Sequence, residues 1–198
     1  MRLLALLALS LATMTTSAKE PTHAAIQEIE FDGCHFKIKD PLNGNLRLTK
    51  DGSPPLAVYT AQPNPNNYHS VDIEIIISCR TLKGLKAFTD LGFDRQNETW
   101  RLIPSTGDPE NLAQVKLYPL KGHGTIGVAS TDNQTTGEPN ERVQGLAFCL
   151  TDQKQILCGT SDAIGYIAYP KESSLPQVLK LLESIEFIEP TQPTPGAP

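Results

Sequence analysis

The chain has 198 residues, 17 basic against 22 acidic for a formal net charge of −5, 39% hydrophobic residues and four cysteines. A mildly acidic chain is poorly suited to nucleic acid or an anionic membrane surface, both held largely by Lys and Arg. A basic protein partner fits that balance better.

At the amino terminus, Arg2, an apolar run over residues 3–12 and the small residues Thr16-Ser17-Ala18 match a secretory signal peptide cleaved before Lys19. The leader, residues 1–18, is too short for a comfortable membrane span of about 20 residues. One domain is expected over residues 19–189, followed by a disordered proline-rich tail over 190–198. The expected product is periplasmic or secreted, with no stable membrane anchor.

The first predicted strand holds Cys34, Phe36 and Ile38, alternating with His35, Lys37 and Lys39. Residues 40–69 then read as a long exposed insertion, with Asn43-Gly44, Asp51-Gly52, Pro54-Pro55 and a Pro63-to-Asn67 cluster. Leu46 to Leu48 and Leu56 to Tyr59 are each long enough for a short strand inside it. Val71, Ile73, Ile75, Ile77 and Cys79 share one parity and predict a strand with one buried face, the mark of an antiparallel sheet.

Leu82, Leu85, Phe88 and Leu91 recur at helical spacing and stop at Gly92. Strands are expected over 99–103, 113–118 and 125–130, then a hairpin over 143–159 that sets Cys149 opposite Cys158. A closing helix starts at Ser174, where Ser174-Leu175-Pro176-Gln177 has the form of a capping box, and residues 185–188 form a last strand. The expected fold class is therefore α+β: an antiparallel sheet with about two flanking helices, braced by disulfides. Strand parity favours Cys34–Cys79 and Cys149–Cys158 among the three possible pairings.

Site motifs are sparse. His23, His35, His69 and His123 lack ligand spacing, so no metal or other cofactor is expected. Gly122-His123-Gly124 is the histidine to watch, because flanking glycines expose the ring. No Gly-x-Ser-x-Gly occurs; Gly127 to Ser130 and Gly159 to Asp162 read as a strand end and a turn. Asp72 and Glu74 share a strand face, which alternation explains as a solvated surface. Asn97-Glu98-Thr99 and Asn133-Gln134-Thr135 fit the glycosylation acceptor pattern.

The order of strands, insertion, helix, antiparallel strands and a terminal helix before Ser184-Ile185-Glu186-Phe187-Ile188 resembles the PsbP-like domains of small exported proteins. That resemblance implies a binding or assembly role and carries over no site residues. At the level of class, the leader, disulfide-braced domain and missing catalytic motif are similar to periplasmic immunity proteins of type VI secretion, which neutralise antibacterial toxins. The expected function is noncatalytic binding of an exported protein, an immunity protein or inhibitor occluding a basic toxin or hydrolase. The alternatives are a hydrolase with dispersed His, Asp and Glu groups and a periplasmic assembly or ligand-binding accessory. The candidate partner-binding residues are Pro54, Pro55, Tyr59, Asn64, Asn66, Asn67, Tyr68 and His123.

Overall fold

Asp32 and Gly33 adopt positive φ of 49° and 85°, the paired left-handed conformation that a two-residue hairpin turn requires. They join β1 (Ala25–Phe31) to β2 (Cys34–Asp40) in antiparallel register, Phe31 opposite Cys34 and Ala25 opposite Asp40. A short β12 (Glu186–Phe187) pairs on the far side of β2, giving a three-stranded sheet in the order β1-β2-β12. This computed structural model describes residues 24–49, 53–80, 86–103 and 114–189; the expected leader and proline-rich tail lie outside them.

The larger sheet has seven antiparallel strands in the order β3-β4-β5-β11-β10-β9-β8. Its members are β3 (Asn45–Leu48), β4 (Ala57–Ala61), β5 (Ile73–Arg80), β8 (Lys116–Lys121), β9 (Ile126–Asn133), β10 (Gln144–Thr151) and β11 (Ile156–Ser161). In β5 the predicted parity holds: Ile73, Ile75, Ile77 and Cys79 are buried, while Glu74, Ile76 and Arg80 are exposed. The insertion is corrected. Residues 40–69 are not one exposed loop region, because β3 and β4 lie within them and β4 is a buried strand one place in from the sheet edge; of the insertion, residues 62–69 remain a largely exposed connection. Ala57, Val58, Tyr59 and Ala61 all lie in the core.

Each face of this sheet meets a different cover. The inner face packs against β2 and against α2 (Leu175–Glu183), which contacts β2 and β8. Phe36, Ile38, Tyr59, Ile75, Phe148 and Leu182 belong to the resulting core. Such side chains contribute about 1.5–3 kcal/mol each on burial. The outer face is covered over part of its area by α1 (Lys86–Asp90) and the hairpin of β6 (Phe93–Gln96) and β7 (Thr99–Leu102). There Phe88 stacks on Trp100 at 4.8 Å, above Val128, Ile156 and the second cysteine pair.

Cys34–Cys79 ties β2 to β5 across the inner core, and Cys149–Cys158 joins directly opposed residues of β10 and β11. This is the pairing that strand parity favours. The fold is mostly antiparallel β-sheet, with less helix than an even α+β balance. Among the described residues it has two α-helices of five and nine residues and one short 3-10 turn. Gly92 ends α1 at φ +79°, as its place after the periodic residues predicts; Leu82 and Leu85 lie outside the described residues.

The capping box is overturned. Ser174 makes no side-chain cap bond and is almost fully buried, donating its N–H to the Ile164 carbonyl. Ser173 takes over, its Oγ accepting from Leu175 N–H at 3.2 Å. The 3-10 turn (Pro170–Glu172) directly upstream brings the chain in one residue early. The buried face of α2 is formed by Val178, Leu181 and Leu182.

Candidate functional site

The expected partner-binding residues divide three ways. Tyr59 is corrected outright: it is 0% exposed, and its hydroxyl donates to Asp40 Oδ1 at 2.6 Å. Burial, then the bond to Asp40, hold that hydroxyl protonated far above the ordinary phenol range. Pro54 and Pro55 lie in the β3–β4 connection, and exposed His123 lies in the β8–β9 turn. The register puts both turns at the same end of the sheet but at opposite edges. Asn64, Asn66, Asn67 and Tyr68 sit at the other end, in the connection from β4 to β5, where Asn67 Oδ1 accepts from His69 N–H at 3.0 Å. They form no single surface.

A better site comes from strand parity. Thr60 of β4, Glu74 and Ile76 of β5, Thr160 of β11, Ala147 and Gly145 of β10, and Asp132 of β9 all fall on the outer face, through the pairs Thr60↔Glu74, Ile76↔Thr160, Thr160↔Ala147 and Gly145↔Asp132. Asp72 and Asp162 extend the face just beyond β5 and β11. These residues line three adjoining concavities. The largest, about 830 Å³, is bounded by Asn45, Thr60, Gln62, Asp72 and Glu74. The second, about 120 Å³, shares Asp72 and Glu74 and adds Ile76 and Asp162. The third, about 440 Å³, shares Asp162 and reaches Asp132 and Gly145.

Four carboxylates therefore line this band, and no lysine, arginine or histidine lines any of its three concavities. Among the described residues none of the four has an ion pair; Asp72 accepts only a bond from Gln62 Nε2 at 3.3 Å. Exposed Arg47 and Arg80 mark its margins. Ile76, 41% exposed, gives the band an apolar centre. A Cβ at Gly145 would stand 2.7 Å from Asp132 Oδ1, so the glycine leaves that carboxylate room in its present position.

The wall of the largest concavity is held from within. Asp40, 0% exposed, accepts from Tyr59 Oη, from Leu42 N–H at 2.8 Å and from Gln27 Nε2 at 2.9 Å. Those bonds offset the cost of burying a carboxylate. Gln27 also donates to the Gly44 carbonyl at 3.1 Å and accepts from Leu46 N–H at 2.8 Å, pinning the turn that leads into β3. Gly44 tolerates no side chain, because a Cβ would meet the Thr60 carbonyl at 2.4 Å.

The remaining motifs resolve as structure. Ser130 lies within β9, and Ser161 donates to the Ala163 carbonyl at 3.2 Å. His35 Nε2 pairs with Glu28 at 2.7 Å, and His69 Nδ1 stands 3.3 Å from Glu172. Among the described residues no three His, Cys, Asp or Glu groups converge as a metal site would require. No helix among them is long and apolar enough to cross a membrane. No protein-family model matches the chain, and comparisons with curated proteins and with solved structures likewise yield no match.

Proposed function

We propose that this is an exported, noncatalytic protein-binding domain that uses its acidic outer sheet face to occlude the basic surface of a toxin or hydrolase. The observation that carries the reading is the run of Asp72, Glu74, Asp162 and Asp132 along concavities without a lining cation, around the exposed side chain of Ile76. Isolated acidic residues on a sheet are ordinary. A continuous band of one sign, with no cation lining it, raises the on-rate of an oppositely charged partner and rejects like-charged ones. The two disulfides suit an oxidising compartment and a rigid surface.

Capture of the partner by cross-linking in the native cell envelope, followed by calorimetric titration of the purified pair, tests the reading. A stoichiometric complex that weakens steeply with salt, and that is weakened about 100-fold in the Glu74→Lys/Asp162→Lys variant, is the expected result. Reproducible substrate turnover by the purified domain alone, or a complex indifferent to both charge reversals, would overturn it.

A further inference from the structure

A separate cleft of about 350 Å³ opens on the inner side of the seven-stranded sheet, where β8, β9 and β10 pass the start of α2. Parity explains its lining. Lys116 and Tyr118 share a face with buried Leu120, Asn133 with Ala129, and Gln144 with Leu146 and Phe148. The apolar core thus runs out toward this end, and polar groups succeed it. Tyr166 closes the opposite side, with Ile167 and Leu175 as apolar wall.

The polar groups are presented rather than consumed. Gln144 Nε2 donates to Asn133 Oδ1 at 3.1 Å, which leaves Asn133 Nδ2 as a donor and Gln144 Oε1 as an acceptor. Among the described residues neither the Tyr118 nor the Tyr166 hydroxyl has a hydrogen-bond partner, and the Lys116 ammonium has no ion pair. Opposite Lys116 in the ladder, fully buried Thr131 has an unpartnered Oγ1.

The rim is also fixed in advance. Tyr166 bridges to Val143, and Ile167 N–H donates to the Arg142 carbonyl at 2.9 Å. Tyr169, edge-on to Tyr166, is stacked on His69 at 3.6 Å. The β4–β5 connection therefore buttresses a binding rim instead of forming one. Such preorganisation lowers the ordering cost of binding a small ligand.

We propose that this cleft binds a short saccharide bearing a carboxylate. The volume lies at the lower end of the range for ligand pockets, about 300–1,000 Å³. A wholly apolar ligand would strand the two amides and two phenols. A compact dianion finds only one ammonium here, because the start of α2 offers no free N–H: Leu175 bonds Ser173 Oγ, Pro176 has none, and Gln177 and Val178 bond the Ser174 carbonyl. Sugar ring faces suit the tyrosine rings, hydroxyls suit the amides and phenols, and one carboxylate suits Lys116.

The test is an amide-shift titration of the oxidised, isotope-labelled protein with three probes: a glucuronate-containing disaccharide, neutral cellobiose and acetate. The acidic disaccharide should perturb Tyr118, Asn133, Gln144 and Tyr166 more strongly than cellobiose does. Lys116→Gln should weaken it about tenfold, to the level of the neutral sugar, and Tyr166→Ala should abolish both. If Tyr166→Ala does not fold, Tyr166→Phe serves, with about threefold weaker binding from the lost hydroxyl. Absence of perturbation in the cleft, acetate reproducing the full pattern, or affinities unchanged in Lys116→Gln and the folded Tyr166 variant would overturn the proposal. Glu74→Lys, on the other face, should leave the titration unchanged, so this site and the partner-binding face stand or fall separately.

Discussion

Two solvent-facing sheet surfaces handle charge in opposite ways. On the three-stranded sheet, Lys37 pairs with Glu186 at 2.8 Å and His35 meets Glu28; beside it Lys154 pairs with Glu189. On the outer face of the seven-stranded sheet, Asp72, Glu74, Asp132 and Asp162 line their concavities with no such partners among the described residues. Both surfaces show the polar alternation of half-buried strands. Charge separates them: the first pairs its charges within the protein, whereas the second presents four carboxylates without an ion pair among the described residues.

Cys34–Cys79 is the disulfide tie between the two sheets, spanning 45 residues against 9 for Cys149–Cys158. Chain-entropy reasoning gives about 4 kcal/mol for the longer loop and about 2.7 kcal/mol for the shorter. Replacing Cys34 and Cys79 together by alanine should therefore lower stability in denaturant titration more than replacing Cys149 and Cys158. The reverse order would mean that packing of β2 and α2, and not the crosslink, unites the sheets.

Charge reversal addresses the contrast itself. Glu74→Lys with Asp162→Lys should weaken partner binding about 100-fold, or about 2.7 kcal/mol, with little change in melting temperature. Lys37→Glu, on the paired surface, should leave partner binding within a factor of about 2, as expected for a charge outside the interface. Calorimetry on the three proteins decides whether the faces differ in function or only in appearance.

Between the faces lies the Asp40 network. Tyr59→Phe keeps the ring but removes one donor from a buried carboxylate, so it should cost about 1.5–3 kcal/mol. It should also loosen the turn beside Gly44, read as faster hydrogen exchange at Leu42 and Leu46, whose N–H groups bond to Asp40 and Gln27. Unchanged exchange at Leu46 would show that the turn is held without this network.

Much of the framework was legible because side-chain parity is a local property. The alternation in β5 follows from it, the register of the β10–β11 hairpin follows from its short turn at residues 153–154, and the cysteine pairing follows from the two together. β1 was missed although Asp32-Gly33 announces its turn, since Ile26, 69% exposed, breaks the expected pattern. Within 40–69, the short strand expected at residues 56–59 corresponds to β4, but its burial is set by pairing with β5 and is not encoded locally. The acidic band was visible only as Asp72 and Glu74. Asp132 and Asp162 join them through strand pairing, and no local pattern encodes that juxtaposition. The cleft at Tyr118 and Tyr166 depends on long-range register in the same way.

The smallest expected effect belongs to the paired surface. Lys37 holds the Glu186 carboxyl below its ordinary 4.5, mainly through their hydrogen bond, while the same bond raises Lys37 above 10.5. A carboxyl lowered on folding contributes stability above its unfolded pKa and loses it as pH falls through the folded value. For the raised lysine, the contribution is present below 10.5 and disappears as pH rises through the folded value. The pair should therefore contribute a constant amount near neutrality and fade at both extremes. Glu186→Gln should remove the acid limb of that dependence, and salt at about 0.5 M should shrink the difference by screening. Thermal melts from pH 3 to 7 in both proteins measure it. An acid limb that survives in Glu186→Gln would assign the pH response to other carboxylates and leave Lys37–Glu186 a pairing of surface charge without thermodynamic weight.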